Sequence, residues 1–84
     1  MRDEILVNVL LPATREAYDL WVPSALTVRE ASLLIARALA SRAPARPDVV
    51  RGNALMSEDT GSLIDPSRVI GDIGLPHRAR LVLV

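Results

Sequence analysis

The stretch TVREASLLIARALASR, residues 27–42, predicts the long helix of this chain. Thr27 and Glu30 have the spacing of a capping box, in which each side chain accepts a hydrogen bond from the backbone amide of the other residue. Pro44 predicts that the helix ends near Arg42. With a turn of about 100° per residue, one stripe of the helix is apolar and is expected to pack on a sheet. Its members are Val28, Ala31, Leu34, Ile35, Ala38 and Leu39.

Strands are predicted on both sides of this helix. ILVNVLL (5–11) and AYDLWVP (17–23) precede it as a hairpin, and ALMS (54–57), a very short SLI (62–64) and RLVLV (80–84) follow it. The segment 41–53 has the Pro, Gly and Arg content of a loop, and Asp65 and Pro66 predict a short helical turn. The order predicts an α+β fold, a mixed four- to five-stranded sheet with one helix (about 28–42) on one face. The first and last strands are expected to pair in parallel at its centre.

Side-chain alternation along the strands predicts which residues point away from the helix. Inward positions are Ile5, Val7, Val9, Leu11, Leu20, Val22, Leu81 and Leu83. The outward set includes Asn8 and Arg80 and an apolar group, Leu6, Leu10, Trp21, Val82 and Val84, which is expected to form a protein-interaction surface. Two alternatives remain open. Trp21 could merely cover the sheet edge or pack under a loop, and a register slip of one residue would invert the faces.

Composition excludes several kinds of function. The chain has 84 residues, which indicates one domain (1–84), and no Cys, which excludes disulfides. Its formal charge is zero, so it lacks the basic character typical of a nucleic-acid-binding protein. His77 is the sole histidine and has no partner set for a metal site or a catalytic triad, and there is no phosphate-binding glycine loop. We therefore expect no enzyme activity, no catalytic residues, no metal and no cofactor. The poor secretory signal and the lack of a membrane-length apolar run predict a cytoplasmic protein with no membrane insertion.

The segments ILVNVLLP, AYDLWVP, LWVPSALTV and VIGDIGLPHRARLVLV together resemble the β-grasp fold of ubiquitin over nearly the whole chain. More narrowly, they are similar to the stand-alone ubiquitin-like proteins of type VII secretion loci, the YukD/EsaB family, and to the ubiquitin-like domain of EccD. Gly74, Leu75, Arg80, Leu81 and Leu83 match the family's closing pattern, whereas HRA replaces its usual Gly-Asp turn.

This resemblance implies a non-enzymatic bacterial interaction module that acts as a component or regulator of a type VII (ESX-like) secretion system. Its implied partners are proteins of the secretion machinery, with homodimerisation through the same face as a further possibility. The alternative is a ubiquitin-like modifier or a sulfur carrier. That alternative is disfavoured because Leu83 and Val84 stand where such proteins end in Gly-Gly.

Overall fold

A mixed four-stranded sheet with a long helix packed on one face forms the fold. The computed structural model describes residues 3–12, 14–42 and 54–84. The elements are β1 (Glu4–Leu11), β2 (Glu16–Pro23), α1 (Val28–Arg42), β3 (Leu55–Ser57), α2 (Ile70–Ile73) and β4 (Ala79–Leu83). The strand order is β2-β1-β4-β3. The α+β prediction is therefore confirmed, while most of the predicted loop 41–53 lies outside the described residues.

The register of β1 fixes both faces of the sheet. β1 runs antiparallel to β2, with Leu6 opposite Trp21, and parallel to β4, with Val9 opposite Leu81. β3 pairs antiparallel with the other side of β4. The predicted central parallel pair is thus present, and β4 is bonded on both sides. A register slip that would invert the faces has not occurred, because Val7, Val9 and Leu81 are buried on the helix side.

The core lies between α1 and the inner face of the sheet. Its fully buried members are Val7, Val9, Leu11, Val22, Val28, Ala31, Ile35, Leu39, Leu55, Ile70, Leu81 and Leu83. The predicted stripe of α1 is wrong at Leu34, which is 42% exposed. Ser32 is fully buried instead, and its hydroxyl donates to the carbonyl oxygen of Arg29 at 2.7 Å. The buried face of α1 is thus rotated from Leu34 toward Ser32. The buried Ser32 hydroxyl is tolerated in the core because it is hydrogen-bonded within its own helix.

The helix begins as the capping box predicts. Thr27 N donates to Glu30 Oε1 at 2.9 Å, and Glu30 N donates to Thr27 Oγ1 at 3.1 Å. Both amides, which the start of the helix leaves without helical partners, are therefore satisfied by side chains. The predicted boundary near Arg42 is also confirmed.

Two local predictions after the helix are corrected. SLI is not a strand, since Leu63 forms only an isolated bridge with Met56. Asp65 caps a turn, accepting from Ser67 N at 2.9 Å, but the helical residues begin later, at Ile70. The segment is held in place by backbone bonds from Ile70 N to Leu26 O and from Gly71 N to Ser24 O. These long-range bonds fix where α2 starts.

Candidate functional site

The face of the sheet opposite α1, called the open face here, is organised in three rows that run across the strands. The first row contains Trp21 on β2 and Leu6 on β1, the second Asp19, Asn8 and Arg80, and the third Ala17, Leu10, Val82 and Met56. Rows two residues apart on a strand are separated by about 6.6 Å. The register therefore places a polar row between two apolar ones.

The first row is the exposed apolar part of this face. Trp21 is 50% exposed, and its partner Leu6 is half-buried. The indole is therefore not buried beneath α1. Leu6 also lines a recess of about 220 Å³ with Glu4, Ile5, Leu75, Pro76 and His77. Apolar surface thus continues from Trp21 over Leu6 toward the loop before β4.

Asp19 of the second row is held by Asn8 of the same row and by Arg78 of the turn before β4, whereas the Arg80 side chain takes no part in these bonds. Asn8 Nδ2 donates to Asp19 Oδ1 at 3.0 Å, and Arg78 Nη2 lies 3.1 Å from Asp19 Oδ2. The hydrogen bond from Asn8, with the nearby Arg78 charge, lowers the pKa of Asp19. Asp19 is therefore a structural anion that links β2 to the turn before β4 across β1.

Asn8, Arg78 and Arg80 line a second recess of about 230 Å³, called the arginine recess here. Arg80 is exposed, and its side chain makes no hydrogen bond or ion pair within the part of the chain that the structure describes. Arg78 has a backbone φ of 58°, the left-handed region that residues other than Gly and Asn rarely adopt. Its amide donates to Leu6 O at 2.9 Å, which holds the turn against β1.

The third row does not supply the accessible surface that the sequence predicts. Val82 points away from α1 as expected but is only 5% exposed. It lies in a central strand with Leu10 and Met56 as its cross-strand neighbours, and such neighbours cover a β-branched side chain. Val82 is therefore removed from the predicted interaction surface. Leu10 is half-buried, and Val84 is 43% exposed beyond the end of β4.

The predicted set is consequently divided. Trp21 and Leu6 are brought together, whereas Leu10 and Val82 lie across the polar row from them. Leu33 is 48% exposed, but Ala36 and Ala40 pack against the core.

The carboxylates with perturbed pKa values have structural partners. Backbone and hydroxyl hydrogen bonds from Thr27 lower the pKa of Glu30, and those from Ser67 lower the pKa of Asp65. Over residues 3–12, 14–42 and 54–84, no three His, Cys, Asp or Glu side chains are grouped to hold a metal ion. His77 lies in the exposed turn before β4. Among the described residues, no helix combines the length and apolar character needed to cross a bilayer.

Sequence reasoning missed the arginine recess. Alternation along the strands places Asn8 and Arg80 on the outward side, but it does not connect them with Arg78 or Asp19. The available signal was the spacing of Arg78 and Arg80, two residues apart at the start of a strand. That spacing puts both guanidinium groups on one face only if the side-chain alternation of β4 extends back to Arg78. Whether it does depends on the geometry of the turn before β4.

No protein-family model matches the chain, and no curated protein is similar to it at a significant level. The family and the function proposed below therefore depend on the resemblance of its strand sequences and on the geometry of the open face.

Proposed function

We propose that this chain is a ubiquitin-like β-grasp protein that binds another protein non-covalently through the first row of the open face. The β-grasp assignment is supported by the hairpin, the crossing helix and the return strand that pairs in parallel with β1 at the centre of the sheet. The proposed function is non-enzymatic, and Trp21 is its anchor.

One observation carries the proposal, namely that Trp21 is half exposed directly opposite Leu6 on the side of the sheet away from the core. An exposed tryptophan beside a second apolar side chain is costly to leave in water, and tryptophan is enriched among residues that dominate binding energy. Burial of such a pair against a partner removes that apolar surface from solvent.

The proposed setting is a type VII (ESX-like) secretion system, in which the protein acts as a component or regulator. The support is the similarity of ILVNVLLP, AYDLWVP and the closing segment to the YukD/EsaB family. The partner proposed is accordingly a protein of that machinery. Self-association through the same face is the competing use of the surface.

The test is affinity capture of partners from the native cell with three forms of the protein. Trp21→Ala removes the anchor, and Leu33→Ala is the matched control because Leu33 is exposed to a similar extent, 48%, but lies on α1. We expect the wild type and Leu33→Ala to retain the same partner and Trp21→Ala to lose it. Mass spectrometry then identifies whether that partner belongs to a secretion complex.

Because the chain contains one tryptophan, its fluorescence reports directly on this site. Addition of the captured partner is expected to shift the emission to shorter wavelength as the indole leaves water. A folded Trp21→Ala protein that binds the partner as tightly as the wild type would refute the site. Self-association is tested by sedimentation of the protein alone. If the apparent mass of the wild type doubles as its concentration rises, while Trp21→Ala stays monomeric, the face is assigned to self-association instead.

A further inference from the structure

We propose that the segment bound by the open face carries an acidic side chain close to a large apolar one. The carboxylate occupies the arginine recess, and the apolar side chain covers Trp21 and Leu6. This inference rests on the proposed function, because it specifies the chemistry of the protein partner for the same face.

The arginine recess is chemically suited to a carboxylate. Among the described residues, this space of about 230 Å³ is lined by Asn8, Arg78 and Arg80, and each of these side chains carries N–H donors. A guanidinium can donate two parallel hydrogen bonds to a carboxylate, and such charge-assisted bonds are about twice as strong as neutral ones. A side-chain carboxylate of a peptide fits this volume and can accept from Arg80, whose guanidinium makes no hydrogen bond or ion pair in the described chain.

The local charge balance favours an incoming anion. Asp19 is already engaged with Asn8 and Arg78, so it neutralises one of the two guanidinium groups. Glu58 is close to Arg80, since its amide donates to Arg80 O at 3.1 Å, but its side chain forms no ion pair with Arg80 in the described chain. Arg80 therefore remains available to an external carboxylate.

The backbone at Arg78 supports the same assignment. A residue with a side chain is less stable in the left-handed region than glycine is. Arg78 occupies such a position with φ of 58° and lines the recess. The turn, with the bond from the Arg78 amide to Leu6 O, therefore fixes this side chain beside the recess.

The two halves of the site have the spacing of neighbouring peptide side chains. Leu6 and Asn8 are two residues apart on β1, so the apolar row and the polar row are separated by about 6.6 Å. Side chains at positions i and i+2 of an extended peptide, or at i and i+3 or i+4 of a helix, span a similar distance. The expected motif is therefore Asp or Glu within four residues of Leu, Ile, Phe or Trp.

The test is selection from a random peptide display library on immobilised wild-type protein, Arg80→Gln, Trp21→Ala and Arg37→Gln. Arg37 is an exposed arginine of α1 and provides the matched loss of one positive charge away from the recess. We expect wild type and Arg37→Gln to enrich the motif. Arg80→Gln should keep the apolar preference and lose the acidic one, whereas Trp21→Ala should lose the apolar preference.

The strongest wild-type peptide is then synthesised with its acid intact and with Asp→Asn or Glu→Gln. We expect the amide peptide to bind at least about tenfold more weakly to wild type, and the two peptides to bind Arg80→Gln equally. The comparison of the two peptides on the wild-type protein does not depend on any protein variant remaining folded. Selection of no peptide, selection without an acidic preference, or an acidic preference that survives Arg80→Gln would overturn the proposal. Loss of the cellular partner by Trp21→Ala would still stand in each case, so the two proposals fail separately.

Discussion

Arg78 Nη2 lies 3.1 Å from Asp19 Oδ2, and this ion pair joins the turn before β4 to the edge strand β2 across the width of β1. Both side chains are about half exposed, at 57% and 44%. An exposed pair of this kind contributes little to stability, because water screens the charges and two long side chains must be ordered. Its more important consequence is the position of Arg78, which the pair holds beside Arg80 at the arginine recess.

Arg78→Asn is expected to separate stability from binding. Asn tolerates the left-handed backbone better than Arg, so the free energy of unfolding should stay the same or rise by roughly 0.5 kcal/mol. The affinity for the acidic peptide should fall about tenfold, because one guanidinium is lost. Urea unfolding and peptide titration measure the two effects.

Arg15→Asn is the matched control for that experiment. Arg15 has the same φ of 58° but lies in the hairpin turn after β1, at the opposite end of that strand from Leu6. It should show the same effect on stability and none on peptide binding. Equal loss of binding in both variants would contradict the assignment of Arg78 to the recess.

The rotated face of α1 predicts unequal effects for two leucines of the same helix. Leu39 is 1% exposed and Leu34 is 42% exposed. Leu39→Ala should lower the free energy of unfolding by about 2–5 kcal/mol, because it leaves a cavity in the core. Leu34→Ala should change it by at most about 0.5 kcal/mol. Denaturant unfolding followed by circular dichroism distinguishes the two, and equal losses would show that Leu34 is buried after all.

Gly71 is expected to be intolerant of a side chain, although it lies in a helix. A Cβ at this position would sit 3.1 Å from the backbone oxygen of Ser24, which also accepts the Gly71 amide at 2.9 Å. Gly71→Ala should therefore destabilise the protein by roughly 1–2 kcal/mol, since overpacking against backbone exceeds the gain in helix propensity. Asp72→Ala, at the exposed neighbouring position, is the control and should have a smaller effect. A rise in the thermal midpoint for Gly71→Ala would disprove the close approach.

Acid is expected to destabilise the protein in the range where its hydrogen-bonded carboxylates titrate. The pKa values of Asp19, Glu30 and Asp65 are all lowered in the folded state. The unfolded chain therefore binds protons more readily, and the stabilisation is fully present above an unfolded-state pKa of about 4. It is lost as the pH falls from about 4 through the lower folded-state pKa values.

The urea midpoint at pH 7 and at about pH 3 measures this effect. Replacement of the three acids by Asn, Gln and Asn should flatten the dependence. A wild-type midpoint that is unchanged or higher in acid would contradict the origin given for the lowered pKa values.

The amino-acid sequence by itself determined where α1 begins and which side of the sheet each strand residue faces. The Thr27 and Glu30 pair set where α1 begins, and alternation along β1 and β2 set the inner positions of Val9 and Val22 and the outer position of Trp21. These properties follow from caps and from the two-residue period of a strand, which involve only neighbours in sequence.

Only the tertiary structure decided how much of each outward side chain reaches solvent and which residues stand side by side. Val82 points outward yet is buried, because Leu10 and Met56 arrive beside it from two other strands. Leu34 is exposed because the sheet covers the side of α1 that includes Ser32. The polar row of Asp19, Asn8 and Arg80 comes from three strands, so its existence depends on their pairing register. Burial and adjacency depend on residues that are distant in sequence. The periodicity of one segment therefore cannot predict them.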